Sequence, residues 1–130
     1  MAHSVGRLAS LDAFTAINSA LQVDLLGQVN TIGYGSKVVG GVAGILDFAT
    51  AGSLAGKSII ALESRRGDDR PAIVARAWPV SLPAALVTHV VTEYGVAAIQ
   101  GKSPAERSEA MIAIAHPGDR DALQRASLGS

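Results

Sequence analysis

The chain has 130 residues, enough for one domain that hides about two-thirds of its unfolded surface. Its 11 basic and 11 acidic residues cancel and are scattered, so the charge pattern offers no footing to nucleic acid or to an anionic membrane. Cysteine is absent, which excludes disulfides, thiolate catalysis and zinc–thiolate sites and fits a cytoplasmic protein.

Hydrophobic residues make up 48% of the chain but aromatics only 4%, and there are 14 glycines. A core must therefore be built from Val, Ile, Leu and Ala around close backbone approaches, which suits an α/β interior. The greasiest region, Val38 to Leu62, is broken by Asp47 and Lys57 and by several glycines. It cannot supply the roughly 20 uninterrupted apolar residues of a membrane span. The opening MAHS has neither the basic start nor the apolar middle of a signal peptide. Residues 1–10 read as a lead-in or cloning remnant, 11–126 as the domain and 127–130 as a fraying tail.

In chain order, alternation across Ala20 to Leu25 predicts a strand, Gly27 a reversal, and Gln28 to Ile32 a returning strand. Gly40, Gly41 and Gly44 punctuate a loop where backbone amides can come close to a partner, and Ile45 to Ala51 reads as a short helix. Lys57 to Ser64 follows as a strand. The segment AGSLAGKS is one glycine short of a phosphate loop, since Ala51 stands at the first position and the residues after Ser58 are strand-like. Gly33 and Gly35 likewise lack the third glycine of a dinucleotide fingerprint, because Val38 occupies it. Ser64 to Arg70 reads as a solvated charged turn, Ile73 to Ala77 as a strand, and Val80 to Leu82 as a short extended piece between Pro79 and Pro83.

The most legible stretch is Val90 to Arg120. Val90, Val91 and Thr92 are β-branched and predict a strand that ends in the carboxylate of Glu93, after which Gly95 lets the chain turn into a second short strand. Ser103, Pro104 and Glu106 stand in capping-box order and start a helix at about Ser103. Its apolar face is expected from Ala105, Met111, Ile112, Ile114 and Ala115, with Glu106, Arg107 and Glu109 in water. His116 reads as a cation at the helix end, Pro117 as the stop, and Asp119 to Ala126 as a last helix.

Little here carries chemistry alone. The histidines at 3, 89 and 116 have no second ligand at metal-binding spacing, and no G-x-S-x-G elbow anchors a serine nucleophile. Glu93 is the better candidate. A carboxylate at a strand end lies where loops gather over an open α/β sheet and ligands bind, although an exposed acid at a turn is the ordinary alternative.

INSALQVDLLGQVN, GGVAGILDF, GKSIIALES and VVTEYGVAAIQGKSPAERSEAMIAIAHP, in that order over about residues 11–125, resemble the carboxyl-terminal domain of the acetyl-CoA hydrolase/transferase family, which includes acetate and 4-hydroxybutyrate CoA-transferases. The resemblance implies a CoA-transferase-like α/β fold, a mixed sheet with short helices packed on it. It implies exchange of CoA between an acyl-CoA and a small carboxylate through a glutamate nucleophile, an anhydride and an enzyme–CoA thioester, with water as acceptor in the hydrolases. CoA thioester is then a substrate, and no cofactor is required.

In this resemblance the nucleophile lies upstream, so the 130 residues alone are expected to be inactive and to work with a missing amino-terminal domain or partner chain, or as a homo-oligomer. Glu93 matches the glutamate of the family's TE-[YQ]-G motif, which supports the site and is not the nucleophile. Gly40, Gly41 and Gly44, with Lys57, fall to the CoA side, and the glycine amides would face a developing oxyanion. The loop departs from the family's G-[IV]-G-G-Q-x-D-F at Ala43 and Ile45, and Ala84 replaces a common arginine after Pro83. A methyl at position 43 restricts positive φ. These departures keep a second reading open: a non-catalytic module that binds CoA thioesters or docks onto a partner subunit.

Overall fold

The structure, a computed structural model, describes residues 15–31, 56–67 and 69–128. The lead-in, the glycine loop and the helix expected at Ile45 to Ala51 lie outside them. Three parallel strands, β1 (Thr15–Ser19), β4 (Lys57–Ala61) and β6 (His89–Thr92), and the antiparallel β7 (Gly95–Ala98) form one sheet in the order β1-β4-β6-β7. A smaller sheet has the order β3-β2-β5, from β2 (Gln22–Asp24), β3 (Val29–Asn30) and β5 (Ile73–Val74).

Register explains the core. Ile60 pairs with Val90 and Val90 with Ala97, so these three side chains share one face of the large sheet, and all are buried. Helix α1 (Pro104–Ile114) packs across that face and buries Met111 and Ile114 against it. Helix α2 (Arg120–Leu128) contributes Leu123, and the small sheet adds Val23, Val29 and Ile73 to the same cluster. Each large side chain withdrawn from water here contributes about 2 kcal/mol.

The predicted hairpin from Ala20 is present but short. Gly27 has φ +89°, and a Cβ there would run into the Ile99 side chain, so only glycine fits the reversal. Asp24, almost fully buried, fixes the same turn: Oδ1 accepts from the backbone N–H of Leu26 (2.9 Å) and Gln28 (3.0 Å), and Oδ2 from that of Ala77 (3.2 Å). That last bond takes Ala77 out of any ladder, and the strand expected over Ile73 to Ala77 stops at Val74. Val80 to Leu82 makes only a single bridge, Val29 with Leu82. No local signal separates β1 from β2: only Ala20 and Leu21 lie between them, and the chain changes sheets there without any glycine or proline.

Helix α1 begins as expected. Ser103 Oγ accepts from Glu106 N–H (3.2 Å) and the Glu106 carboxylate accepts from Ser103 N–H (2.9 Å). The Ser103 backbone N–H, helped by its hydroxyl, holds the Glu106 carboxyl below its usual range. Ser103→Ala is expected to lower the stability of the domain by about 1 kcal/mol, read as a fall in urea midpoint at constant m-value. Two details differ from expectation. Ala105 is exposed, so the buried face consists of Met111, Ile114 and Ala115 with Ile112 at its rim. His116 does not serve the carbonyl end of α1: its Nδ1 accepts from Gly118 N–H (3.0 Å) and caps a 3-10 turn, Pro117–Asp119, leading into α2. The carbonyls of Ile114 and Ala115 are taken instead by Thr92 Oγ1 (2.6 Å) and Arg120 Nε (3.0 Å). Among the described residues no helix is long and apolar enough to cross a membrane.

Candidate active site at the carboxyl end of the parallel sheet

Strands β4 and β6 run in the same direction and finish side by side, so the residues just past them emerge together at one edge of the sheet. Ser64 follows β4 and Glu93 follows β6. The two-residue tip Glu93–Tyr94 joins β6 to β7, with Gly95 at φ +143° completing the turn. Thr92 ties this tip to the end of α1: its hydroxyl donates to Ile114 O and accepts from Tyr94 N–H (3.1 Å).

The Glu93 side chain is gripped from β4. Oε1 accepts from the Ser64 backbone N–H at 2.8 Å and Oε2 from Ser64 Oγ at 3.0 Å. The sequence reading of Ser64 to Arg70 as a solvated turn is thereby corrected in its first half. Ser64 is fully buried, and Arg65 forms a forked pair with Asp119, Nη2 to Oδ1 at 2.7 Å and Nε to Oδ2 at 3.1 Å. Gly67, Asp69 and Arg70 do face water. The local sequence hid this because both partners, Glu93 and Asp119, are remote in the chain.

On the other flank, the Tyr94 ring meets His116 edge-on at 5.9 Å and 80°, and the Arg120 guanidinium lies 5.5 Å from its centroid. The edge contact and the cation–π contact steady the aromatic next to the acid. The Ser64 backbone N–H does most to push the Glu93 carboxyl below its ordinary range; desolvation opposes it, and the Glu93 backbone N–H and the Ser64 hydroxyl assist. Glu93 is therefore an ionised, oriented acceptor near neutrality and is unsuited to deliver a proton.

A pH test follows. A carboxyl whose pKa falls on folding contributes stability above its unfolded value, about 4.3 for glutamate, and that contribution disappears as pH drops through the folded value. The stability difference between the chain and Glu93→Gln is thus expected to be largest near neutrality and to close under acid, measured by urea unfolding at several pH values. A gap independent of pH would contradict the Ser64 contact.

Of the other candidate residues, the described one, Lys57, does not join Glu93. Lys57 opens β4 and is exposed at the opposite end of the sheet. It is level with the residue two before His89, while Glu93 lies two beyond Val91, so the two are ~20 Å apart along the strands. The positions of Gly40, Gly41 and Gly44 are outside the described residues. Among those described, no cluster of three or more His, Asp or Glu side chains is arranged to hold a metal. A groove of about 630 Å³, lined by Leu26, Pro104, Ile112, Gln124 and Leu128 among others, lies towards the far end of α2. Among its described lining residues Glu109 alone is ionisable.

The family model described as the acetyl-CoA hydrolase/transferase C-terminal domain matches residues 2–127. The chain is 38% identical over 130 aligned residues to a butyryl-CoA:acetate CoA-transferase of Anaerostipes caccae, covering 93% of this chain and 29% of that protein. It is 42% identical over 121 residues to a 4-hydroxybutyrate coenzyme A transferase of Clostridium kluyveri, covering 86% and 28%. Among solved structures it resembles RipA of Yersinia pestis, with a TM-score of 0.84, 30% identity and coverage of 98% of this chain and 28% of that one. A 4-hydroxybutyrate CoA-transferase of Porphyromonas gingivalis superposes with a TM-score of 0.77 at 32% identity, over 95% and 28%. The chain therefore spans under a third of the length of the relatives it matches. With the mixed sheet and a match across nearly its whole length, the chain belongs to the acetyl-CoA hydrolase/transferase family and corresponds to its carboxyl-terminal domain.

Proposed function

We propose that this domain is the carboxyl-terminal part of an enzyme that moves CoA between a thioester and a small carboxylate, with the attacking glutamate supplied by polypeptide outside these 130 residues. The observation that carries the reading is Glu93, ionised and held by Ser64 at the carboxyl end of a parallel sheet. That edge is where open α/β folds bind ligands. Glu93 supports the exchange as a fixed acceptor that orients groups around the thioester, and the nucleophile elsewhere forms the covalent intermediates. The glycine loop at 40–44 supplies backbone donors for the developing oxyanion. CoA is a substrate here, and the enzyme works in the cytoplasm with its amino-terminal portion or a partner chain, and as a homo-oligomer.

The experiment is isotope exchange between labelled acetate and acetyl-CoA. The polypeptide that includes the upstream region encoded with this domain is expected to exchange label, and the 130 residues alone are expected to be silent. Exchange by the 130 residues alone would show that the nucleophile is within them and overturn this assignment. Ala43 and Ile45 in the glycine loop favour a second reading, a non-catalytic CoA-thioester-binding or subunit-interaction module. A longer polypeptide that binds acetyl-CoA calorimetrically but exchanges no label would select it.

A further inference from the structure

Ser64 is a fully buried serine whose two donors, backbone and hydroxyl, both go to one outward-facing side chain, one to each oxygen of Glu93. Turning Glu93 to water would take the acceptor from two buried donors of Ser64, so the pair of bonds both contributes stability and confines the carboxylate to one orientation.

The grip is itself anchored. Ser64 O accepts from Ala72 N–H at 2.9 Å, and Ala72 O accepts from Val23 N–H at 2.9 Å, which ties the serine to the small sheet. The next residue, Arg65, is forked onto Asp119 just ahead of α2. Thr92 fixes the other side of the hairpin tip to α1. Both sheets and both helices therefore converge on the orientation of one carboxylate.

We infer that Ser64 is a positioning residue: it presents the Glu93 carboxylate in a single orientation at the sheet edge, with each oxygen keeping an outward lone pair for a donor on the CoA thioester or on the pocket around it. This rests on the exchange reading above and adds to it the residue on which the acid depends. Hydroxyl and amide contribute separately. Ser64→Ala removes only the hydroxyl bond, and Ser64→Thr keeps both donors.

The test is carboxyl-detected NMR of the 130-residue chain with its glutamates labelled. In the unmodified chain the Ser64 amide proton is expected to shift with the same midpoint as the Glu93 carboxyl, and that midpoint to lie below ordinary glutamate. Ser64→Ala is expected to raise it, and Ser64→Thr to restore it. A Ser64 amide that ignores the Glu93 titration overturns the inference without any variant, as does a folded Ser64→Ala chain in which Glu93 is unchanged.

In the longer polypeptide, Ser64→Ala is expected to lower kcat for label exchange roughly 10-fold to 100-fold with KM for acetyl-CoA little changed, because misplacing a group that acts in the transition state costs about that much. Ser64→Thr is expected to recover most of it. Unchanged kcat in Ser64→Ala overturns the positioning role. An intact NMR signature alongside an unmodified protein that exchanges no label would instead reject the exchange reading and leave the Ser64–Glu93 contact standing.

Discussion

Glu93→Gln in the longer polypeptide is expected to lower kcat for CoA exchange by roughly 100-fold or more while the domain stays folded. Glutamine keeps the shape of the side chain and one carbonyl acceptor, which can still meet the Ser64 N–H. It loses the negative charge and the second acceptor, and its NH₂ would face the Ser64 hydroxyl where an oxygen stood. In the proposed role the acid acts chiefly as chemistry proceeds, and the loss is expected in kcat more than in KM. Glu93→Asp retains the charge but draws it back by one methylene, and an intermediate loss is expected. The measurement is initial-rate label exchange together with thermal unfolding of each variant. A Glu93→Gln enzyme with full exchange activity would remove Glu93 from the site.

Asp24→Ala is expected to be the most damaging single change to folding, by about 3 kcal/mol or more. Three backbone N–H groups, those of Leu26, Gln28 and Ala77, end on its carboxylate, and the residue is 1% exposed. Alanine would leave three donors without their acceptor, that of Ala77 in a buried position, and each unsatisfied buried group costs roughly 1–3 kcal/mol. The effect is global because Asp24 joins the β2–β3 turn to the segment after β5, and so holds the small sheet as one unit. Asp24→Asn keeps one acceptor oxygen and is expected to lose less. Urea unfolding measures both, and an Asp24→Ala chain as stable as the unmodified one would show that these bonds contribute little. The same unit carries Val23 and Ala72, on which Ser64 leans, so this loss is expected to loosen Glu93 as well.

What the sequence disclosed was whatever is decided over a few residues. Ser103, Pro104 and Glu106 specify a helix start within one turn, and Val90 to Ala98 specify a hairpin through β-branched residues and Gly95, so both are legible locally. The place of Glu93 at the end of a strand is legible for the same reason. The support around it is not, because Ser64 is 29 residues from Glu93, Arg65 is 54 from Asp119 and Asp24 is 53 from Ala77. Those bonds exist only once strand order is set, and strand order is a tertiary outcome. Lys57 shows the converse. In sequence it begins the same strand that leads to Ser64, yet a parallel ladder sends the start and finish of that strand to opposite edges of the sheet.

The most direct test of the central claim is where acetyl-CoA acts on this domain. Backbone amide shifts followed by NMR as acetyl-CoA is titrated into the longer polypeptide, with this domain labelled, are expected to move at Ser64, Glu93, Tyr94 and Gly95 and to leave Leu26, Gln124 and Leu128 in place. Shifts confined to the groove around Leu26 and Leu128, with Glu93 unmoved, would contradict it.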